Sequence, residues 1–200
     1  MTEIFGVPIQ ALMGQLMLGL VNGSFYAILS LGLAVIFGML NIVNFAHGAL
    51  YMVGAFFAWM LLNYAGINYW MALVIAPIGV ALIGVVIEKT MLRWLHQLDH
   101  LYGLLLTFGL ALILEGIFRE FYGSSGLPYE LPDVFRGVFD LGFMMLPKYR
   151  VWVIAVSIVL CFFTWFVIEK TKLGAYLRAG TENPNMVKAF GINVPLMVTL

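Results

Sequence analysis

Polar side chains are scarce in this sequence, so the few set among apolar neighbours carry most of its chemistry. Asn22, Tyr26 and Ser30 recur at i, i+4 and i+8 and form a polar line along one helical face. Beside it runs a stripe of small residues, Gly19, Gly23, Ala27, Ser30, Ala34 and Gly38. Such a stripe lets helices approach closely in lipid. Two readings fit this face: helix packing with locally satisfied polar groups, or the border of a translocation path. Asn41, Asn44 and His47 cluster just after it. Neutral hydrogen-bonding groups at a helix break can line a watered route, since irregular backbone at membrane depth needs polar neighbours. An ordinary turn with Asn caps fits equally well. Glu115 is the one acidic residue set inside a long apolar run. Intramembrane carboxylates are functional candidates, but Arg119 follows at i+4, which predicts a helical ion pair near the interface.

Other chemistry is missing. A P-loop needs Gly, four residues, then Gly-Lys-Ser/Thr; the Lys-Thr pairs here, Lys89-Thr90 and Lys170-Thr171, both follow Glu. No ATP site and no other cofactor is therefore expected in this chain. His47, His96 and His100 lack the HExxH spacing, and Cys161 stands alone, so neither a metal site nor an intrachain disulfide is expected. No catalytic set is visible.

The elements that hold these residues follow from composition. Apolar types make up 63% and charged types 10%, with ten basic and ten acidic residues. Soluble domains are nearer half apolar and a quarter charged, and zero formal charge excludes a basic nucleic-acid footprint. No charge occurs from residue 4 to residue 87, a stretch of 84 residues. As one helix it would be ~126 Å long, against a hydrocarbon core of ~30 Å. It must fold back, and three spans fit, at about 11–38, 49–63 and 69–87. Two more are predicted at about 101–118 and 151–168. A cleaved signal peptide is not expected, because the early charge is Glu3 and the apolar stretch runs far too long. Near-continuous apolar runs such as Leu73–Val80 lack the period of two of a membrane barrel. The expected fold is all-α, a polytopic transmembrane helix bundle in the lipid bilayer with about five spans. Val194–Leu200 reads as the start of a sixth, so the expectation is a single transmembrane domain over 1–200 that is part of a longer one.

Between spans, residues 169–193 hold the most specific pattern. Glu182, Asn183 and Pro184 predict a helix start, with Thr181 as cap and Pro in the first turn. Met186, Val187, Ala189 and Phe190 give an apolar face, and Gly191 suits a left-handed stop. A short amphipathic helix of this kind is made for insertion into a partner's groove.

These residues resemble a known family. Leu173-Gly-Ala-Tyr-Leu-Arg178-Ala179, then Glu182-Asn183-Pro184 and Ala189-Phe190-Gly191-Ile-Asn-Val, are similar to the cytoplasmic coupling segment of branched-chain amino acid ABC transporter permeases. Asn22-Gly-Ser-Phe-Tyr-Ala-Ile-Leu-Ser-Leu-Gly-Leu and Ile42-Val-Asn-Phe-Ala-His-Gly-Ala-Leu-Tyr-Met resemble the N-terminal signature of the H-type permease subunit. The resemblance covers essentially the whole chain, with Thr181-Glu182 a small departure. It implies a bacterial inner-membrane importer that pairs this subunit with a second permease, two cytoplasmic ATP-binding subunits and a periplasmic substrate-binding protein. ATP would be bound by the partners. Related permeases move urea, short amides or aromatic compounds, which leaves cargo open. A gradient-driven secondary transporter fits less well, because the first three spans carry no charged relay, and the polar line speaks against a cargo-free scaffold.

The Lys and Arg distribution sets orientation. Lys89 and Arg93 lie in the 88–100 loop, and Lys170, Lys172, Arg178 and Lys188 follow the fifth span. Both segments are expected inside, which puts the N-terminus outside. With a cysteine at position 97 or 127, an impermeant thiol reagent on intact cells should label 127 and leave 97 until permeabilisation; the opposite pattern inverts the topology.

Overall fold

A computed structural model describes residues 3–4, 7–40, 44–95, 100–142 and 144–191. A two-residue ribbon opens it, with β1 (Glu3–Ile4) antiparallel to β2 (Val7–Pro8). Then come α1 (Ile9–Leu40), α2 (Ala46–Ala65) and α3 (Tyr69–Ile87). A π-helical turn, Glu88–Leu92, extends α3 into the short α4 (Arg93–Leu95). After α5 (His100–Tyr122) comes a 3₁₀ turn, Asp133–Phe135, and a hairpin of β3 (Val138–Asp140) and β4 (Met145–Pro147). The last elements are α6 (Lys148–Lys170), α7 (Lys172–Glu182) and α8 (Pro184–Ala189).

Among the described residues, five helices are long and apolar enough to cross a membrane: Ile9–Gly38, Ala46–Ala65, Tyr69–Leu92, Leu101–Tyr122 and Lys148–Lys170. The chain is an all-α multi-pass membrane protein. α1 runs unbroken for 32 residues, about 48 Å at 1.5 Å per residue, so it must tilt in the bilayer or project from it. The fourth and fifth spans outrun the charge-free windows: α5 continues past Arg119 and Glu120, and α6 begins at Lys148. Long charged side chains at a span's end reach the headgroups while their stems stay apolar, so they need not end the helix. The expected sixth span at 194–200 lies outside the described residues.

The chain divides into two compact units, Met1–Leu31 with Glu130–Lys170, and Gly32–Tyr129 with Thr171–Leu200. In the first unit, α1 and α6 are joined by a hydroxyl. Ser157, 3% exposed, donates to the Ser24 carbonyl at 3.0 Å, and the Ser24 hydroxyl bonds back to Leu20 O at 2.8 Å. Val21 and Val153 are buried alongside. Phe135 anchors the loop before α6, its ring 5.3 Å from Trp152.

The second unit is built on α2 packed against α3 and α5. Gly79 lets α3 come close: a side chain there would strike the Phe57 ring. The α2–α3 link is closed at both ends. Gly66, at φ +64°, ends α2 in the left-handed conformation, and the Asn68 carboxamide accepts from Met71 N at 3.0 Å to start α3. At the far end of α2 and α5, aromatic rings fill the gap, with Phe56 4.7 Å from Phe118 and Trp59 5.6 Å from Tyr122. The Trp59 indole donates to Pro128 O at 3.1 Å and ties down the 123–129 loop.

Thr107 is wholly buried in α5. Its hydroxyl accepts from Phe45 N at 3.2 Å and donates to Leu104 O at 3.1 Å. Thr107→Val removes the acceptor of a backbone N–H just outside a helix. It should cost about 1 kcal/mol or slightly more, at the upper end for one interhelical hydrogen bond in a membrane. Ser157→Ala should cost less, about 0.6 kcal/mol, because the Ser24 carbonyl lies inside α1 and keeps its place in the helical ladder. Equilibrium unfolding in mixed micelles checks the order of the two.

Candidate functional site

Of the sequence-picked residues, Asn44 stands just before α2 and His47 in its first turn. Asn44 Oδ1 accepts from Ala46 N at 2.9 Å, and Asn44 O accepts from His47 N at 3.4 Å. The Asn44 side chain therefore caps the start of α2. Phe45 N–H points instead to Thr107, and its ring meets Phe108 edge-on at 6.1 Å. His47 lies half-buried one turn on, against the Gly32 backbone of α1. A Cβ at Gly32 would sit 2.6 Å from His47 Cε1, so only glycine leaves room for the imidazole. Asn41 lies outside the described residues.

The polar line of the first span is placed as its spacing requires. Asn22 and Tyr26 are exposed on α1, Tyr26 at 70%. The Ser30 hydroxyl turns back to Ala27 O at 3.2 Å, satisfied within its own helix. The small-residue stripe is mostly open, with nothing within 4 Å of a Cβ built at Gly19, Gly23 or Gly38. Asn22 and Tyr26 belong to the first unit, and Asn44, His47 and Glu115 to the second.

Glu115 is exposed on α5, as is Arg119. The expected i,i+4 ion pair does not form between them. An exposed pair gives little, ~0–1 kcal/mol, and must hold two long side chains in one geometry. An ion pair does form between Arg136 and Asp133, at 2.8 Å on the loop before α6.

The segment after α6 folds as two helices, not one. α7 runs over Lys172–Glu182, so Thr181 and Glu182 end a helix and do not start one. Asn183 is the cap of α8, its carboxamide accepting from Met186 N at 3.1 Å. Pro184 is the first residue of α8, and a proline disfavours helical backbone in the residue before it, which suits a break at Asn183. The Asn183 N–H still closes α7, donating to Ala179 O at 3.0 Å. Arg178 and Ala179 are exposed on α7. On α8, Val187 turns inward at 6% exposure, whereas Met186 at 59% and Ala189 face out, as does Phe190 at 76%, just past the helix end. Gly191 has φ +78°, the left-handed stop the sequence predicts.

Thr107 and Ser157 were invisible to pattern reading, since one hydroxyl in an apolar run leaves no periodic mark. Also unmarked is a shallow cavity of about 290 Å³ between α2 and α5, lined by Met60, Tyr64, Ile117, Phe118, Phe121 and Tyr122. Beyond it, burial and the nearby Tyr69 raise the Tyr129 phenol above its ordinary pKa of 10, so it stays neutral. Among the described residues, no three His, Cys, Asp or Glu side chains gather as a metal site would require.

Residues 15–200 match the family described as the branched-chain amino acid transport system permease component. The chain is 26% identical over 197 residues to the high-affinity branched-chain amino acid transport system permease protein BraD of Pseudomonas aeruginosa, covering 93% of this chain and 64% of that protein. The same identity holds over 201 residues with LivH of Escherichia coli K12, at the same coverage of each. The probable branched-chain amino acid transport permease protein LivH of Methanocaldococcus jannaschii is 24% identical over 186 residues, covering 88% of this chain and 56% of that protein. The chain thus spans about 64% of the length of the first of these relatives. No solved structure matches it significantly. Apolar spans and relatives agree on a multi-pass protein of the bacterial inner membrane. On the match across nearly all its residues, the chain belongs to the branched-chain amino acid transport system permease component family.

Proposed function

We propose that this chain forms one half of the membrane path of an ATP-driven importer for branched-chain or other hydrophobic amino acids, with α8 as its docking point for a cytoplasmic ATPase. A second permease subunit, two ATP-binding subunits and a periplasmic substrate-binding protein complete the assembly. The relatives, all described as branched-chain amino acid permeases, support this cargo. The observation that carries the docking proposal is the outward face of α8. Met186, Ala189 and Phe190 are exposed on a helix capped at Asn183, stopped at Gly191 and held from behind by Val187. Six residues are too few to hold a helix in water without such ties, so the exposed apolar face is maintained for contact. Arg178, Ala179 and Glu182 flank it on α7.

On the path side, the exposed Asn22 and Tyr26 support a face turned away from lipid. Hydrocarbon offers an amide no hydrogen bond, so such groups turn to water or to another subunit. A zwitterion with an apolar side chain is passed on most readily by neutral polar groups and small residues; a fixed charge would hold it. The residues we propose for the path are Asn22, Tyr26, Asn41, Asn44 and His47, with Glu115 as the one carboxylate among them. Selectivity then rests mainly on the soluble binding protein.

Two predictions follow from these faces. Phe190→Asp and Gly191→Val should each lower substrate-stimulated ATP hydrolysis of the assembled importer severalfold with insertion intact, the second because a β-branched residue at φ +78° is strained by about 1–3 kcal/mol. Full ATPase coupling in both variants would remove α8 from the transmission. Asn22→Leu should slow leucine uptake into proteoliposomes severalfold and leave leucine affinity of the isolated binding protein unchanged. Asn44→Leu is a poorer probe, because it also strips the cap of α2 at about 1 kcal/mol. Uptake of urea but not leucine would overturn the cargo, and full-rate leucine uptake by Asn22→Leu would overturn the path.

A further inference from the structure

The hairpin before α6 shows apolar side chains outside the spans. Val138 is 51% exposed and Met145 68%, with Leu141 at the turn and Val134 just ahead also open. The register explains which face this is. Val138 pairs with Pro147 and Asp140 with Met145, so these four share one face; Phe139 pairs with Leu146 on the other. On that other face Leu146 turns inward, whereas Phe139 is itself 47% exposed. Leu146 is 5% exposed, and Lys148 Nζ stands 5.7 Å from the centre of the Phe139 ring. The free face would be apolar but for Asp140. Its carboxylate accepts from Gly142 N at 2.8 Å and is drawn into the turn.

What this free face meets is set by where the hairpin is fastened. Lys148, the first residue of α6, donates its N–H to Gly137 O at 3.1 Å. Phe135, 8% exposed, packs on Trp152 at 5.3 Å and on Tyr149 at 6.5 Å, both in the first turns of α6. α6 spans Lys148–Lys170, about 34 Å of helix against ~30 Å of hydrocarbon, so its first turn stands at the headgroups. Tyr149 and Trp152 are the residue types that settle at that level. A hairpin bonded and packed to this turn rides at the same depth, beside the lipid that α6 crosses.

We infer that the β3–β4 hairpin is an interfacial anchor, with Val138, Leu141 and Met145 dipping into the headgroup–acyl boundary of the leaflet at the N-terminal end of α6. The occupant of this face is phospholipid. The depth has a limit. A two-stranded ribbon has unpaired N–H and C=O groups along both edges, which hydrocarbon cannot satisfy. The backbone therefore stays among headgroups and water, and side chains alone reach the acyl chains. The exposed Asp133–Arg136 pair keeps its water on the loop before the hairpin. The device adds to the hold that Tyr149 and Trp152 give α6 at this level.

The test uses the full chain in vesicles of phosphatidylethanolamine and phosphatidylglycerol, with Cys161→Ser removing the single native thiol. Nitroxide labels are placed at Val138→Cys or Met145→Cys, with Asp133→Cys as the aqueous control and Val159→Cys as the mid-span control. Power saturation compares collisions with oxygen, which favours lipid, and with a nickel chelate confined to water. The expected oxygen-to-nickel ratio at 138 and 145 is severalfold above that at 133 and below that at 159. A ratio at both sites equal to that at 133 puts the hairpin in water and overturns the anchor. Protection of both sites from both reagents means a protein contact and overturns it as well.

Discussion

The second unit depends on how one backbone N–H is satisfied. Between Leu40 and Ala46 the chain leaves one long helix and enters the next. There the helical ladder cannot serve Phe45 N–H, and lipid cannot either. The Thr107 hydroxyl accepts it and passes its own proton to Leu104 O, inside α5. One side chain thus joins the start of α2 to the middle of α5. Asn44 closes the rest of the turn on its own helix, and His47 fills the notch that Gly32 leaves open. Polar groups are spent here on keeping the turn, and the same turn displays Asn44 and His47.

Ser157 and Ser24 do the same work in the first unit with less consequence. Their bond joins two helices whose ladders are already complete. The contrast follows from reference states. A hydroxyl that bonds an occupied carbonyl adds a contact, whereas one that serves an orphaned N–H removes a penalty. Elsewhere the units rely on shape. Gly79 brings α3 onto Phe57, and rings from Phe56 to Tyr122 close the end of α2 and α5. Apolar attraction between helices is weak in lipid, since the tails are as apolar as the side chains. Close glycine contacts, aromatic edges and a few hydroxyls carry the packing instead.

The spans were legible because charge is so costly in hydrocarbon that its absence marks them. The gap from 4 to 87 gave three helices, and Asn68 and Gly66 marked the turn within it. Their ends were less legible. Arg119 and Lys148 look like boundaries in a charge map, yet a charge at headgroup level costs little and both lie inside helices. The stop at Gly191 was legible because left-handed backbone all but names its residue. The start at Asn183 was misread as Thr181, although Pro184 already favours it: a proline disfavours helical backbone in the residue before it, and here α7 ends at Glu182. Thr107 could not be found from sequence. A lone threonine among Leu and Phe looks like any small filler until the turn it serves is seen.

That break at Asn183 bears on how the second unit's last helices can move. α8 is six residues long and cannot keep its direction by helix propensity. Its orientation comes from the Asn183 cap at one end, Gly191 at the other and Val187 against the rest. Asn183 also donates to Ala179 O, so one residue ends α7 and starts α8. A force on α8 therefore enters α7 through a single shared residue and a buried contact. A linker of free loop would absorb such a force; under the proposed docking, this junction would instead carry it into α7. Bending at Asn183 would break the α7 closure and the α8 cap together.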